Sequence, residues 1–354
     1  MIIKAEELKA LVVRILVTAG ASKSNADCVA AHLVSANLSG VDTHGVWHLA
    51  RTYLPAIKSG DIVPDAVPEI LTEAPVSALV TGHWTFGQVA AKYAMEVAVG
   101  KASEHGVSVV SLLQSHHIGR LGEYAEMALA QKMIAMVWGG GYSEESPAAV
   151  PYGGRKRALS TNPISMGFPA GPADRMLIDF ATTAGSGVKV ANAKQKGEPL
   201  PPGWIVDKNG TPSTNAMDFF DGGAYQPFGG HKGYALMMGA EFLGRIFSGS
   251  DAYAEAGRGG AYMRHQGVTM IVVRADLFQP YEEYAHRAEE MVQRIRAVPP
   301  APGFQEVLIP GDPEVRTRSI RAKEGIPIPD DIWKELSALP GFAGLPTADP
   351  ASAV

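Results

Sequence analysis

The chain has 354 residues, of which 46% are hydrophobic and 19% are charged, and its formal net charge is −5 at pH 7. This composition is ordinary for a globular protein and allows a sizeable core divided into about two or three structural units. The negative net charge argues against nucleic-acid binding, and no apolar run approaches the ~18–20 residues of a membrane-spanning helix. The first residues lack the pattern of a signal peptide, and Cys28 is the only cysteine. These features predict a cytoplasmic protein without nucleic-acid or membrane partners.

Apolar residues recur at helical spacing within residues 5–60 and predict three helices there. The third is predicted to begin at His44, with Thr43 as its N-cap. His44, His48 and Arg51 would then share one face, because they are spaced i, i+4 and i+7. A histidine titrates near neutral pH, and a helix N-terminus attracts anions, so His44 is a candidate general acid. The alternative reading is a capping or packing histidine.

From about residue 68 onward, strands and helices alternate, which is typical of an α/β fold. Predicted strands cover residues 77–80, 107–113, 134–138, 163–168, 176–180 and 267–274. Predicted helices cover residues 88–101, 121–131, 231–247, 279–297 and 330–338. Residues 114–120 then follow the carboxyl end of a strand, where ligands usually bind in such folds. Residues 346–354 are predicted to fray.

His116 and His117 lie next to each other in this strand-to-helix loop. Adjacent histidines alone make a poor metal site, and no HxxxH, HExxH or CxxC motif is present, so a metal is not expected. The alternative is that one imidazole faces a substrate or cofactor while the other packs or faces solvent.

Residues 229–233 (GGHKG) open a predicted helix. Glycines expose backbone N–H groups there and Lys232 adds a cation, a combination that suits phosphate. The alternative is an ordinary glycine turn with a solvated lysine. The glycine fingerprint of a Rossmann fold is absent, because Val190 stands where residues 185–187 (GSG) would need a third glycine. The pattern alone therefore argues against the common dinucleotide-binding fold.

Taken in chain order, these segments closely resemble the type 2 malate/L-lactate dehydrogenase family. That family also includes ureidoglycolate dehydrogenase, sulfolactate dehydrogenase, diketogulonate reductase and piperideine-2-carboxylate reductase. The resemblance is carried by residues 40–45 (GVDTHG), 117–119 (HIG), 161–163 (TNP), 179–183 (DFATT), 197–201 (GEPLP) and 227–233 (PFGGHKG), and by Arg321 with Gly325 and Ile326. The motifs span nearly the whole chain, and jointly they are very specific.

The resemblance implies an α/β protein with a non-Rossmann NAD(P)-binding fold of the sulfolactate-dehydrogenase-like type. It implies an N-terminal helical part (1–67) with the catalytic histidine, an α/β cofactor and substrate part (68–298), and a C-terminal segment (299–354) that packs back on the helical part. The expected enzyme is a homodimer that uses NAD or NADP to interconvert a small 2-oxo acid and a 2-hydroxy acid by hydride transfer.

The resemblance also implies roles for individual residues. His44 is the expected acid/base, and Thr43 is its hydrogen-bonding partner. Expected substrate contacts are His48, Arg51, Thr161 and His117. Expected cofactor contacts are His117, Gly119, Arg120, Leu121, Asp179, Phe180, Ala181, His231, Lys232, Gly233 and Gly311.

One position departs from the family pattern. His48 stands where the family often has an arginine that can grip a substrate carboxylate with two hydrogen bonds. The substrate can therefore differ from malate or lactate, or Arg51 can supply the cation. Lys189 favours oxo-acid chemistry weakly, since hydroxy-acid members commonly carry lysine there. Reduction of a cyclic imino acid and a non-catalytic ligand-binding role are the alternatives.

Overall fold

The computed structural model describes residues 1–141, 145–171 and 175–342. The chain divides into two compact units. Unit 1 comprises Met1–Ser59 together with the chain from Pro313 onward, and unit 2 comprises Gly60–Asp312. The predicted fraying of residues 346–354 concerns a segment outside the described ranges.

The unit boundaries differ from those placed after residues 67 and 298 on the sequence. Residues on both sides of those positions pack within unit 2. The Val63 N–H donates to Trp84 O at 2.9 Å, and the Leu177 N–H donates to Pro310 O at the same distance. These contacts attach the residues just before the first predicted boundary and just after the second to unit 2.

Unit 1 begins with a short strand and two long helices. Its N-terminal elements are β1 (Ile2–Ile3), α1 (Ala5–Thr18), α2 (Lys23–Leu38), a 3-10 turn (Asp42–His44), a π-helical segment (Leu49–Tyr53) and α3 (Leu54–Ser59). The first two predicted helices are confirmed. Ser22 caps α2, because its hydroxyl accepts a hydrogen bond from the Asn25 N–H.

The prediction that a helix begins at His44 is wrong. His44 ends the 3-10 turn, and Gly45 then adopts an extended conformation. Asn37 Oδ1, near the end of α2, accepts a hydrogen bond from the Val46 N–H at 2.9 Å. Thr43 is therefore not an N-cap, and His44 precedes the helical residues, which start at Trp47, instead of belonging to their first turn. A turn and a π-helical segment replace the single helical face expected for His44, His48 and Arg51.

Unit 2 contains the main sheet and its covering helices. Its elements are β2 (Glu69–Ala74), β3 (Ser77–Thr81), α4 (Gly87–His105), β4 (Val107–Leu113), α5 (Gly122–Leu129), β5 (Met133–Gly140), β6 (Ile164–Pro169), β7 (Arg175–Phe180), α6 (Gly187–Lys196), β8 (Ile205–Val206), β9 (Pro212–Ser213), α7 (Ala216–Phe220), β10 (Ala224–Tyr225), α8 (His231–Glu241), α9 (Gly260–Met263), β11 (Gly267–Arg274) and α10 (Tyr281–Arg296). The strands and helices predicted within this unit are confirmed, with small shifts at their ends.

Among the described residues, seven strands form one mixed sheet in the order β2-β3-β4-β11-β5-β6-β7. Only β3 and β4 are parallel neighbours; the other adjacent pairs are antiparallel. β11 lies between β4 and β5, so the strand-helix-strand repeat does not produce a doubly wound parallel sheet. This confirms an α/β class that is not a Rossmann fold.

The core of unit 2 is built from aliphatic strand residues and an alanine-rich helix. Ala90, Ala91, Ala94 and Ala98 of α4 are completely buried with Val110 of β4 in one cluster. Such small side chains let the α4 backbone approach the sheet closely. A second, three-stranded sheet has the order β10-β8-β9 within the described part of the chain.

The C-terminal elements complete unit 1. They are α11 (Asp312–Glu324), β12 (Ile326–Pro327) and α12 (Asp330–Ser337). β12 pairs antiparallel with β1. α11 was not predicted, because none of its side chains is buried and it therefore lacks apolar periodicity. Within the described ranges, no helix combines the length and apolar character needed to cross a bilayer.

Candidate active site

His44 is half-buried in unit 1, and its ring orientation is set by its neighbour in sequence. Thr43 Oγ1 lies 3.1 Å from His44 Nδ1. When the ring is protonated, Nδ1–H donates to this hydroxyl and Nε2–H is the second donor of the imidazolium. The hydrogen bond at Nδ1 therefore orients the imidazole ring of His44.

The turn that carries His44 is enclosed by polar contacts that local sequence patterns do not reveal. Asp42 accepts hydrogen bonds from Asn37 Nδ2 at 2.6 Å and from Arg321 Nη1 at 2.7 Å. A Cβ atom at Gly45 would lie 2.2 Å from Asn37 Oδ1, so only glycine fits there. Arg321 belongs to one of the motifs that carry the family resemblance, but nothing in that motif predicts its hydrogen bond to Asp42.

His48 points its ring back into the same segment. Its Nε2 lies 2.9 Å from the carbonyl oxygen of Thr43, and its Nδ1 lies 3.0 Å from Thr52 Oγ1. Because a carbonyl oxygen only accepts, Nε2 carries a proton. The ring centroids of His44 and His48 are 6.2 Å apart. Both nitrogens of His48 are therefore engaged within unit 1, and its contact with substrate stays a prediction.

Arg51 is held by acidic side chains of α12. Its guanidinium lies 2.6 Å from Glu335 Oε1 and 3.4 Å from Asp331 Oδ2. The hydrogen bond to Glu335 is the main cause that raises the pKa of Arg51. The same guanidinium lies 5.0 Å from the centroid of the Trp47 ring. These contacts neutralise the cation locally, so Arg51 is a weaker candidate for the substrate carboxylate than its sequence spacing suggested.

In unit 2, the loop after β4 places His116 inside and His117 at a half-buried position. Gln266 Nε2 donates to His116 O at 3.1 Å and lies 3.0 Å from Ser115 Oγ. A Cβ atom at Gly87 would lie 2.2 Å from His116 O, which shows how closely α4 packs on this loop. Of the two histidines, His116 is the one that packs.

Burial lowers the pKa of His116 from 6.5 to about 4, against a weaker opposing effect of the Asp61 carboxylate. The unfolded chain therefore binds more protons between these pH values, so the free energy of unfolding falls as the pH falls. We expect a loss of about 2 kcal/mol between neutral pH and a pH of about 5. Chemical denaturation of the wild type and His116→Gln at both pH values measures this. The variant should lose most of the dependence; equal slopes would contradict the prediction.

The buried Arg120 side chain lies between two carboxylates of unit 2. The Arg120 side chain is 1% exposed and contacts Asp179 Oδ2 at 3.5 Å and Glu126 Oε2 at 3.4 Å. Arg175 contacts the other oxygen of Glu126 at 2.8 Å. The Gly122 N–H donates to Asp179 Oδ2 at 2.9 Å. The predicted cofactor segments 117–121 and 179–181 are therefore joined directly.

Thr161 belongs to a turn that is fixed from both sides. Its carbonyl oxygen accepts hydrogen bonds from the N–H and the hydroxyl of Thr182, at 2.8 and 2.9 Å. The next residue, Asn162, has a left-handed backbone with φ of 35°. Its buried side chain donates to Glu241 Oε2 and to Met237 O, each at 3.0 Å. Asn162 and Glu241 were not among the predicted site residues, because their pairing depends on α8 reaching this turn.

The glycine segment opens α8, as predicted, and its backbone is one that glycine favours. Gly229 and Gly230 have φ values of 56° and 64°, which L side chains rarely adopt. A Cβ atom at Gly233 would lie 1.9 Å from Phe228 O. His231 and Lys232 are exposed at the start of the helix. Backbone N–H groups and a cation thus meet at one helix N-terminus.

The glycine segment adjoins the residues that follow β7, and Gly311 adjoins Leu177 within β7. The Phe228 N–H donates to Thr182 O at 3.1 Å, and its ring packs edge-on against Phe180 with centroids 5.2 Å apart. A Cβ atom at Gly311 would lie 3.2 Å from Leu177 Cβ. The structure therefore gathers the predicted cofactor segments of unit 2 along β7 and the residues that follow it. The described residues contain no cluster of three or more His, Cys, Asp or Glu side chains able to hold a metal ion.

Comparisons with known proteins point in one direction. A sequence model of the malate/L-lactate dehydrogenase family matches residues 3–337. L-sulfolactate dehydrogenase from Methanocaldococcus jannaschii is 33% identical over 350 residues, which cover 99% of each chain. The solved structure of sulfolactate dehydrogenase from that organism has a TM-score of 0.85 at 32% identity, covering 95% of this chain and 96% of the other. This similarity confirms the expected sulfolactate-dehydrogenase-like fold.

A second structure is relevant to the choice of substrate. The Δ1-piperideine-2-carboxylate reductase from Pseudomonas syringae pvar. tomato has a TM-score of 0.83 at 30% identity. The alignment covers 95% of this chain and 98% of that one. The fold and sequence similarity therefore extends to a protein that is named as a reductase of a cyclic imine.

Proposed function

The chain belongs to the malate/L-lactate dehydrogenase family and is an oxidoreductase, and we propose that it interconverts a small 2-oxo acid and the corresponding 2-hydroxy acid with NAD or NADP. The observation that carries this proposal is the Thr43–His44 pair, whose hydrogen bond of 3.1 Å aims a titratable ring. The names of the family and of the sulfolactate dehydrogenase relative support the substrate class.

The proposed reaction transfers one hydride and one proton. A bound nicotinamide supplies the hydride to the carbonyl carbon of the 2-oxo acid, or takes it back from the hydroxy acid. His44, as imidazolium, donates its proton to the carbonyl oxygen and recovers one when the reaction runs in reverse. Thr43 keeps the ring in one orientation during both directions.

The residues of unit 2 fit a dinucleotide. The left-handed glycines Gly229 and Gly230 and the exposed cation of Lys232 suit a phosphate at the N-terminus of α8. The Asp179 carboxylate, partly exposed at 20%, suits a hydroxyl donor such as a ribose. Phe180 is 38% exposed and offers an apolar ring beside it. We propose that these residues hold the cofactor; the choice between NAD and NADP is an outcome of the assay below.

Reduction of a cyclic imino acid is the second candidate function. The similarity to the piperideine-2-carboxylate reductase favours it, and a C=N bond needs the same hydride and proton. His48 does not decide between the two candidate functions. Both of its ring nitrogens are hydrogen-bonded within unit 1, so neither function relies on His48 to bind the substrate carboxylate.

A substrate panel tests the proposal. Purified protein is assayed with pyruvate, oxaloacetate, sulfopyruvate, Δ1-piperideine-2-carboxylate and Δ1-pyrroline-2-carboxylate, each with NADH and NADPH, by following oxidation of the cofactor. We expect the highest kcat/KM with a 2-oxo acid. A higher value with an imine would favour the second candidate, and failure to bind either dinucleotide would favour a non-catalytic ligand-binding protein.

The homodimer implied by the family resemblance is also proposed. Apolar side chains that are more than half exposed support it, since large exposed apolar groups often mark contacts between chains. They lie together on the helical segment after α8: Phe242, Ile246 and Phe247.

A further inference from the structure

We propose that Arg321, on the C-terminal helix α11, is a positioning residue for His44. Through Asp42 and Asn37 it holds the turn that presents the imidazole. The proposal rests on the proposed role of His44 as acid/base, and the experiment below separates failure of one from failure of the other.

Arg321 grips Asp42 with both terminal nitrogens. Nη1 donates to Asp42 Oδ1 at 2.7 Å, and Nη2 donates to Asp42 Oδ2 at 3.0 Å. Nη1 also donates to the carbonyl oxygen of Asn37, near the end of α2. The guanidinium is only 16% exposed. A planar fork with two parallel hydrogen bonds fixes direction as well as distance, which a lysine cannot reproduce.

Asn37 extends this contact across the turn. Its Nδ2 donates to Asp42 Oδ1 at 2.6 Å, and its Oδ1 accepts from the Val46 N–H at 2.9 Å. The residues on both sides of the Thr43–His44 pair are therefore tied to one buried amide. Because both terminal nitrogens of Arg321 hold the Asp42 carboxylate, displacement of its fork would release the Asp42 end of the turn directly.

Arg318 provides a contrast on the same helix. It donates to Ser35 Oγ and Ser39 Oγ, each at 2.8 Å, at the C-terminal end of α2. Arg318 therefore attaches α11 to α2 through Ser35 and Ser39, which lie before the turn at residues 42–46. The attachment of α11 and the positioning of His44 can thus be tested separately.

The experiment compares Arg321→Lys with Arg318→Lys in the full chain, using the best substrate of the panel. We expect Arg321→Lys to lower kcat by about 10- to 100-fold, because a misplacement near 1 Å can cost that much. The dissociation constant for reduced cofactor should not change. The solvent deuterium isotope effect on kcat should rise, because proton donation becomes slower. Arg318→Lys should leave kcat within about twofold, within ordinary surface-substitution effects.

Asp42→Asn and the double variant Asp42→Asn/Arg321→Lys complete the test. We expect the double variant to be no slower than the worse single variant, because both changes break one contact. The proposal is overturned if Arg321→Lys keeps wild-type kcat while His44→Ala loses it. It is also overturned if the two lysine variants lose activity and thermal stability in parallel, which would mean a purely structural role. If His44→Ala itself retains turnover, the proposed function fails instead.

Discussion

Replacement of His44 by alanine should lower kcat by about 10²–10⁴-fold, the usual contribution of a general acid. The ring is the group that Thr43 orients through a 3.1 Å hydrogen bond, and alanine removes the proton without adding bulk. Cofactor affinity should not change, because the proposed cofactor residues belong to unit 2. Steady-state kinetics and fluorescence titration with NADH and NADPH measure the two quantities.

Two controls make this expectation specific to proton donation. His286→Ala removes a histidine that is 67% exposed on α10 and should leave kcat unchanged. Imidazole added to His44→Ala should restore part of the rate, because its protonated form can replace a missing proton donor but not a missing structural contact. Undiminished turnover in His44→Ala would rule out the assigned role.

Replacement of Arg120 by methionine should lower the free energy of unfolding by about 3 kcal/mol, since removing one partner of a buried ion pair leaves the other charge uncompensated. The Arg120 side chain is 1% exposed and lies between the carboxylates of Asp179 and Glu126. Urea denaturation measures the loss. The affinity for the reduced cofactor should fall as well, because Asp179 loses the contact that orients it.

Arg175 supplies the matched control. It contacts the same carboxylate, Glu126, but its side chain is 34% exposed. Arg175→Met should therefore cost no more than about 1 kcal/mol, as exposed ion pairs do. Equal losses in the two variants would show that burial of Arg120 does not matter, contrary to the expectation.

Local sequence patterns predicted the helices and strands whose side chains form a distinct apolar face or apolar run. β4 and β11 match their predicted bounds, because runs of β-branched residues favour an extended backbone. α10 has an apolar stripe on an otherwise charged helix and was predicted within a few residues. In contrast, α11 buries none of its side chains, so its sequence carries no such signal.

The site follows the same division. Residues 229–233 were predicted to open a helix, and α8 begins there after two glycines with positive φ, because such a helix start depends on local residues. The start of the third helix was predicted wrongly, because Gly45 is extended after the 3-10 turn and the Val46 N–H is bound by the side chain of Asn37, a residue of another helix. No pattern in residues 42–46 contains that information.

By itself, the sequence determined which chemical groups are present: a histidine behind a glycine bend, a glycine-rich segment with a lysine, and an ordered set of motifs that identifies a family. Only the tertiary structure decided how they are held. It inserted β11 between β4 and β5, buried Arg120 beside Asp179, and brought Arg321 to Asp42 across 279 positions of chain. The physical reason is range: backbone propensities and capping act within a few residues, whereas these contacts exist only once distant elements have packed.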